Sequence, residues 1–318
     1  MLLALGVTAI VLFARHVGVA RLMVALRATA VVLPFVFLLE GARIVLDAWR
    51  TRLLYGRAGR VTRFGRILRT QLAAYPIALL VPAGGAASEA FKAAELSDEA
   101  GPDVAAATAT INQALVLFAG FLISIPCFVT ASLVWGAGGL TVAIGVQAAT
   151  ALGLGLFIQL GTRQAFVGRL LARFSKRAGE AVGSYQTAVV EMRFLPVQPL
   201  GAAVASRCAQ LVQLAILAWA VGGHISIASA FIALGVQLVG SAAGDMVPAQ
   251  IGALDASFAI ASSSLGVDTA RALAIPIVMH VVQLGWAVIG ALLPQRPRPK
   301  PGHDASTVAL IPPRPSRA

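Results

Sequence analysis

Two carboxylates are placed alike in this chain. Glu89 follows Pro82 by seven residues and Asp255 follows Pro248 by seven, and each proline belongs to a Val-Pro-Ala tripeptide, Val81-Pro82-Ala83 and Val247-Pro248-Ala249. Both stand in apolar surroundings. A charge at the centre of a membrane helix costs ~2.5–3.5 kcal/mol on insertion scales, so such a residue faces protein or water and is a functional candidate by default. The chemistry on offer is the binding of charge or of a proton. Lys92, three residues after Glu89, shares its helical face and can pair with it. Lys92 suits a phosphate, and Glu89 suits an amine or a coupled proton. The competing reading is a structural ion pair that pins the segment.

Other ionisable residues join this set. Glu40, Arg43 and Asp47 recur at spacings of three and four, which reads first as a self-neutralised triad, with Arg43 able to reach a cavity. Arg207 sits within an apolar run without a local acid, so it either meets a distant carboxylate or snorkels. Asp245 reads as a hydrated turn residue, and His280, one imidazole without a visible partner, as a packing residue. Asn112 and Gln113 read as interhelix hydrogen-bonders. The expected substrate-binding residues are Glu89, Lys92, Asp255, Arg43 and Arg207, with Pro82 and Pro248 shaping the segments. No catalytic or metal-binding residue is expected. Cys127 and Cys208 lack metal or redox spacing and read as buried free thiols.

These side chains need elements to hold them. The chain has 318 residues, of which 58% are hydrophobic and 12% charged. That balance excludes a soluble domain of this size and predicts an all-α, polytopic membrane protein. The stretch Val104 to Thr162 contains no Asp, Glu, Lys, Arg or His and is long enough for two spans of ~20 residues each. About six spans are expected: Leu2–Ala14 (short), Ala28–Ala48, Val104–Trp135, Leu140–Leu160, Leu195–Val221 and Val267–Leu293. Arg15 to Arg27 reads as an interfacial helix. The apolar run before Pro82 reaches only about half the bilayer thickness, so each Val-Pro-Ala segment is expected to be a re-entrant hairpin.

Most of the net charge of +12 sits in three blocks, Arg50 to Arg69, Arg163 to Arg193 and the tail after Pro294. Basic loops mark the cytoplasmic face and meet anionic lipid, so the charge signals no nucleic-acid partner. With all three blocks in the cytoplasm, the two hairpins enter from opposite faces. That is an inverted-topology repeat, in which broken helices meet near the midplane. Residues 1–293 form the membrane domain, and 294–318 a Pro-rich, basic, disordered cytoplasmic tail.

The segment Pro82 to Lys92, the segment Pro248 to Asp255 and the order of spans resemble the flippase-like membrane domain of lysylphosphatidylglycerol synthases and its stand-alone bacterial relatives. Those proteins show a proline, a Gly-Glu pair and an Arg three residues on; here Ser88-Glu89-Ala90-Phe91-Lys92 stands at that place. Their later Pro-x-x-Gly-Gly-x-Gly-x-x-Glu corresponds to Pro248-Ala249-Gln250-Ile251-Gly252-Ala253-Leu254-Asp255, with fewer glycines and Asp for Glu. The resemblance spans residues 1 to 293 in layout. It implies lipid handling without the synthases' aminoacyl-transferase domain, since nothing foldable is expected after Leu293.

The expected function is that of a flippase of the bacterial inner membrane, moving a lipid headgroup through a central polar cavity. The expected partner is an anionic or zwitterionic phospholipid or a polyprenyl lipid; no oligomeric state follows from the pattern. No cofactor is expected: the phosphate-binding Gly-x-x-x-x-Gly-Lys-Ser/Thr loop does not occur. One rival is an intramembrane enzyme using Ser241 and His280, but Ser241 lacks a Gly-x-Ser context. The other is a non-transporting scaffold, which would not need buried acids in a repeat.

Overall fold

The computed structural model describes residues 18–57, 63–164, 176–223 and 226–293. Among the described residues all regular structure is helical. The helices are α1 (Val19–Ala30), α2 (Leu33–Arg57), α3 (Phe64–Leu80), α4 (Gly84–Ala100), α5 (Pro102–Trp135), α6 (Gly139–Arg163), α7 (Lys176–Glu191), α8 (Val197–Ala220), α9 (Ile227–Ala243), α10 (Ala253–Ile260) and α11 (Thr269–Leu292). A 3-10 turn, Pro248–Gln250, precedes α10.

Among the described residues four helices, α5, α6, α8 and α11, are long and apolar enough to cross a membrane, and α1 with α2, bent by 68°, makes a fifth if the pair counts as one span. Leu2–Ala14, the short span among the six expected, lies outside the described residues, as do Arg60, Ser175 and the tail. Leu133 and Ile260 are each 82% exposed and Ile227 80%. Large apolar side chains pointing outward from a helical bundle are what a hydrocarbon solvent accepts and water does not.

Helix boundaries follow local chemistry. Gly101 at φ 90° ends α4, and Pro102 at the first position of α5, whose missing N–H costs nothing there, restarts the chain. Asp268 caps α11 by accepting from the Arg271 N–H at 3.0 Å. The expected span Ala28–Ala48 differs at both ends: α1 gives way to α2 inside it, at residues 31–32. α2 does not stop at Ala48 but continues to Arg57, and Arg50, the first residue of a basic block expected in a cytoplasmic loop, is buried. Asp47, three residues earlier, and Asn112, 62 residues further on, satisfy the guanidinium inside the protein, and the second partner is one that local sequence does not reveal.

The packing order has a pattern. α3 packs on α4, α4 on α5, and α3 on α11. Likewise α9 packs on α10, α10 on α11, and α9 on α5. α1 lies against α11 as α7 lies against α5, while α2 packs on α8. The apolar core divides accordingly. Leu214, Leu234, Phe258 and Met279 mark one half and Leu54, Ile67, Leu96 and Leu115 the other.

Candidate functional site

The two Val-Pro-Ala tripeptides fold alike. Val81 and Val247, each ahead of a proline, are extended at φ −95°, ψ 138° and φ −102°, ψ 128°. Ala83 and Ala249, each after the proline, are left-handed, at φ 52°, ψ 37° and φ 55°, ψ 10°. That conformation costs an L-residue roughly 1–2 kcal/mol, because Cβ crowds the carbonyl. Gly84 has no alternative, since a Cβ there would lie 2.1 Å from the Ala78 carbonyl oxygen. The turns also touch: the Ala83 N–H donates to the Asp245 carbonyl at 3.1 Å.

Between the turns lies a cavity of about 170 Å³. α2 gives it Glu40, Arg43 and Asp47, α3 gives Tyr75, the second turn gives Asp245 and Gln250, and α11 gives Gln283. Glu40 is 2% exposed and accepts from Arg43 Nη1 at 2.7 Å, Tyr75 Oη at 2.5 Å and Gln213 Nε2 at 3.0 Å. Arg43 Nε is buried without a partner among the described residues. The expected triad is in fact two pairs, because Asp47 accepts from Arg50 at 2.8 Å.

A second network runs deeper. Arg50 Nε donates to Asn112 Oδ1 at 2.5 Å, and Asn112 Nδ2 donates to Glu89 Oε1 at 2.8 Å. Lys92 Nζ donates to the same oxygen at 2.6 Å and to Gln71 Oε1 at 2.9 Å. Asp47, Arg50, Asn112, Glu89, Lys92 and Gln71 thus form one hydrogen-bonded chain across α2, α3, α4 and α5. Alternating charges with every link hydrogen-bonded is the arrangement that makes buried ions tolerable.

Asp255 stands in a third group. It is fully buried, and its Oδ2 accepts from the Gly252 N–H at 2.8 Å and faces His280 Nε2 at 3.3 Å. His280 therefore has the partner its sequence context does not reveal. In both motifs the carboxylate is met from the following long helix, by Asn112, 23 residues after Glu89, and by His280, 25 residues after Asp255.

The structure places the expected site residues in different surroundings. Arg43 lines the cavity, and Pro82 and Pro248 shape the turns beside it. Glu89, Lys92 and Asp255 are buried in the networks and do not line it. Glu89 and Asp255 share no hydrogen-bond partner among the described residues. Arg207 donates to Gln210 at 2.9 Å and feels the charges of Arg43, Asp47, Arg50 and Glu40, but has no carboxylate at ion-pair distance among the described residues. Ser241 accepts from Gln237 at 3.3 Å, while His280 turns to Asp255. Cys127 is buried as expected, whereas Cys208 is exposed.

Sequence reasoning missed Tyr75, Gln71, Gln213 and Gln283, uncharged side chains with no spacing signal. It assigned Asp245 to a hydrated turn; the residue is exposed, but on the cavity wall.

Comparison with curated proteins and with solved structures finds no match. The model of the lysylphosphatidylglycerol synthase TM region family matches residues 1–291. With its span-length apolar helices, the chain is thus a polytopic membrane protein belonging to the lysylphosphatidylglycerol synthase TM region family.

Proposed function

We propose that the protein carries a lipid headgroup across the bacterial inner membrane through the cavity between the two Val-Pro-Ala turns. The observation that carries this reading is the meeting of the turns. Two segments 166 residues apart in sequence, each with an extended Val, a Pro and a left-handed Ala, close on one polar cavity. Polar, irregular backbone at membrane depth is tolerated where it lines such a cavity. At about 170 Å³ the space is smaller than the ~300 Å³ of a drug-sized site, so it suits a headgroup and leaves acyl chains in lipid.

The reciprocal packing of α1–α5 and α7–α11, with α6 between them, supports an inverted-topology repeat in which α3–α4 and α9–α10 are re-entrant hairpins. Alternating access then follows from one repeat rocking against the other. The lining carries Glu40, Asp47 and Asp245 against Arg43 alone, although Arg50 neutralises Asp47 from behind. Asp245 is left to receive an amine, and the part-exposed guanidinium of Arg43 to receive a phosphate oxygen. A zwitterionic or amine-bearing headgroup fits better than a purely anionic one. Arg43→Gln and Asp245→Asn should each slow translocation about tenfold or more, the loss of one charge-assisted hydrogen bond, with insertion unchanged. Parental rates in both variants would remove the cavity from the mechanism.

A further inference from the structure

We infer that Asp255 and His280 form a single proton-binding site set one helical turn from the cavity. The pair is buried: Asp255 has no exposed surface and the His280 side chain has 7%. Each member has one satisfied atom and one bare one. Asp255 Oδ2 holds the Gly252 N–H and faces His280 Nε2, whereas Asp255 Oδ1 and His280 Nδ1 are buried without a partner among the described residues. Accepting the Gly252 N–H from the third position of α10 needs only one oxygen, as the Ser229 hydroxyl shows when it accepts the Ser226 N–H at the start of α9. A full carboxylate with a bare oxygen is an expensive way to do it.

Proton count explains the arrangement. With one proton between them, the two groups are neutral overall, either as carboxylate with imidazolium or as carboxyl with imidazole. A second proton leaves a buried positive charge, and loss of the first leaves a buried negative charge on an incompletely satisfied carboxylate. One proton is thus the only count that leaves the pair without net charge, unless a nearby charge compensates it. The cavity supplies the place for such a charge. Gln283 lines it three residues after His280, and Gln250 lines it two residues before Gly252, whose N–H binds Asp255. A cationic headgroup arriving there favours the deprotonated, negative pair, so cargo binding and proton release are linked.

Other charges near the pair are already engaged or lie elsewhere. α9 has no titratable residue and α10 none besides Asp255. On α11 only Arg271 remains, exposed and paired with Asp268. α3 brings Tyr75, bonded to Glu40, with Arg66 and Arg69 in its early turns; α2 brings the Glu40–Arg43 and Asp47–Arg50 pairs. α8 brings Arg207, bonded to Gln210, α1 brings Arg21 and Arg27, and the turn brings Asp245. None of these hydrogen-bonds to either member.

Proton binding by the pair stands apart from the transport reading; only its coupling to cargo rests on that reading. The test is an infrared pH titration of the full chain in lipid nanodiscs. Carboxyl and imidazole bands should change together with one apparent midpoint. The carboxyl part should vanish in Asp255→Asn. In His280→Gln its midpoint should move, because the two groups share one proton. Asp255→Glu, which keeps the acid, should retain a displaced band and guards against loss of fold in the amide variant. A titration with no Asp255-dependent band, or one whose midpoint ignores His280→Gln, overturns the proposal. Either result can occur whether or not the protein moves lipid.

Discussion

At the scale of the residue, the protein handles buried charge by linking it. Glu89 and Lys92 are 8% and 4% exposed, and each has a further neutral partner, Asn112 or Gln71. Removing one charge strands the other. Lys92→Met should therefore destabilise the protein by ~3–5 kcal/mol, and Glu89→Gln by a similar or smaller amount. The double variant should cost less than the sum of the two, since no lone ion remains. Denaturation in detergent across this cycle measures the coupling, and strict additivity would mean that the two groups do not interact. The left-handed alanines make a separate prediction. Ala83→Gly relieves a strain of roughly 1–2 kcal/mol at a small entropic cost and should keep or raise Tm. Ala83→Val puts a β-branched residue at φ 52° and should lower it. A higher Tm for valine than for glycine would refute this backbone argument.

At the scale of the element, the sequence showed the apolar stretches but not their partners. Long uncharged runs, the Gly136–Gly139 break between α5 and α6, and the repeated Val-Pro-Ala are local signals, and each corresponds to a feature of the fold. Local sequence does not show that Arg50 is buried, since its acceptor Asn112 is 62 residues away, nor that Gln213 meets Glu40, 173 residues away. His280 looked solitary for the same reason. Glutamine and tyrosine on a cavity wall have no spacing rule to reveal them. Close backbone approach is equally invisible in sequence. Gly290 lets α11 cross α3, since a Cβ there would lie 2.1 Å from the Leu72 carbonyl oxygen. Gly290→Val should force α3 and α11 apart and abolish a folded monodisperse peak in size-exclusion chromatography. Gly183→Ala, with open space around its Cβ position, should not. An undisturbed Gly290→Val protein would show that this crossing tolerates far more separation than its geometry implies.

At the scale of the whole molecule, the account depends on how the bundle sits in the membrane. With the three basic blocks in the cytoplasm, Arg60, Ser175 and the tail should lie inside and Gly138 and Gly223 outside. Single cysteines at these positions, introduced with Cys208→Ser because that thiol is exposed, should react with an impermeant reagent on those faces. Labelling of position 223 from the cytoplasm would end the inverted repeat. Deleting Gln295 to Ala318 should leave insertion and transport largely intact, and loss of transport with normal insertion would make the tail functional.

The most direct test of the central claim is translocation in proteoliposomes. Purified protein is reconstituted with trace head-labelled phosphatidylethanolamine or phosphatidylglycerol, and the label accessible from outside is followed with time. The account predicts flipping faster than in protein-free vesicles, greater for the amine-bearing lipid, and reduced by Arg43→Gln and by Asp245→Asn. Wild-type vesicles no faster than protein-free ones for either lipid would contradict it.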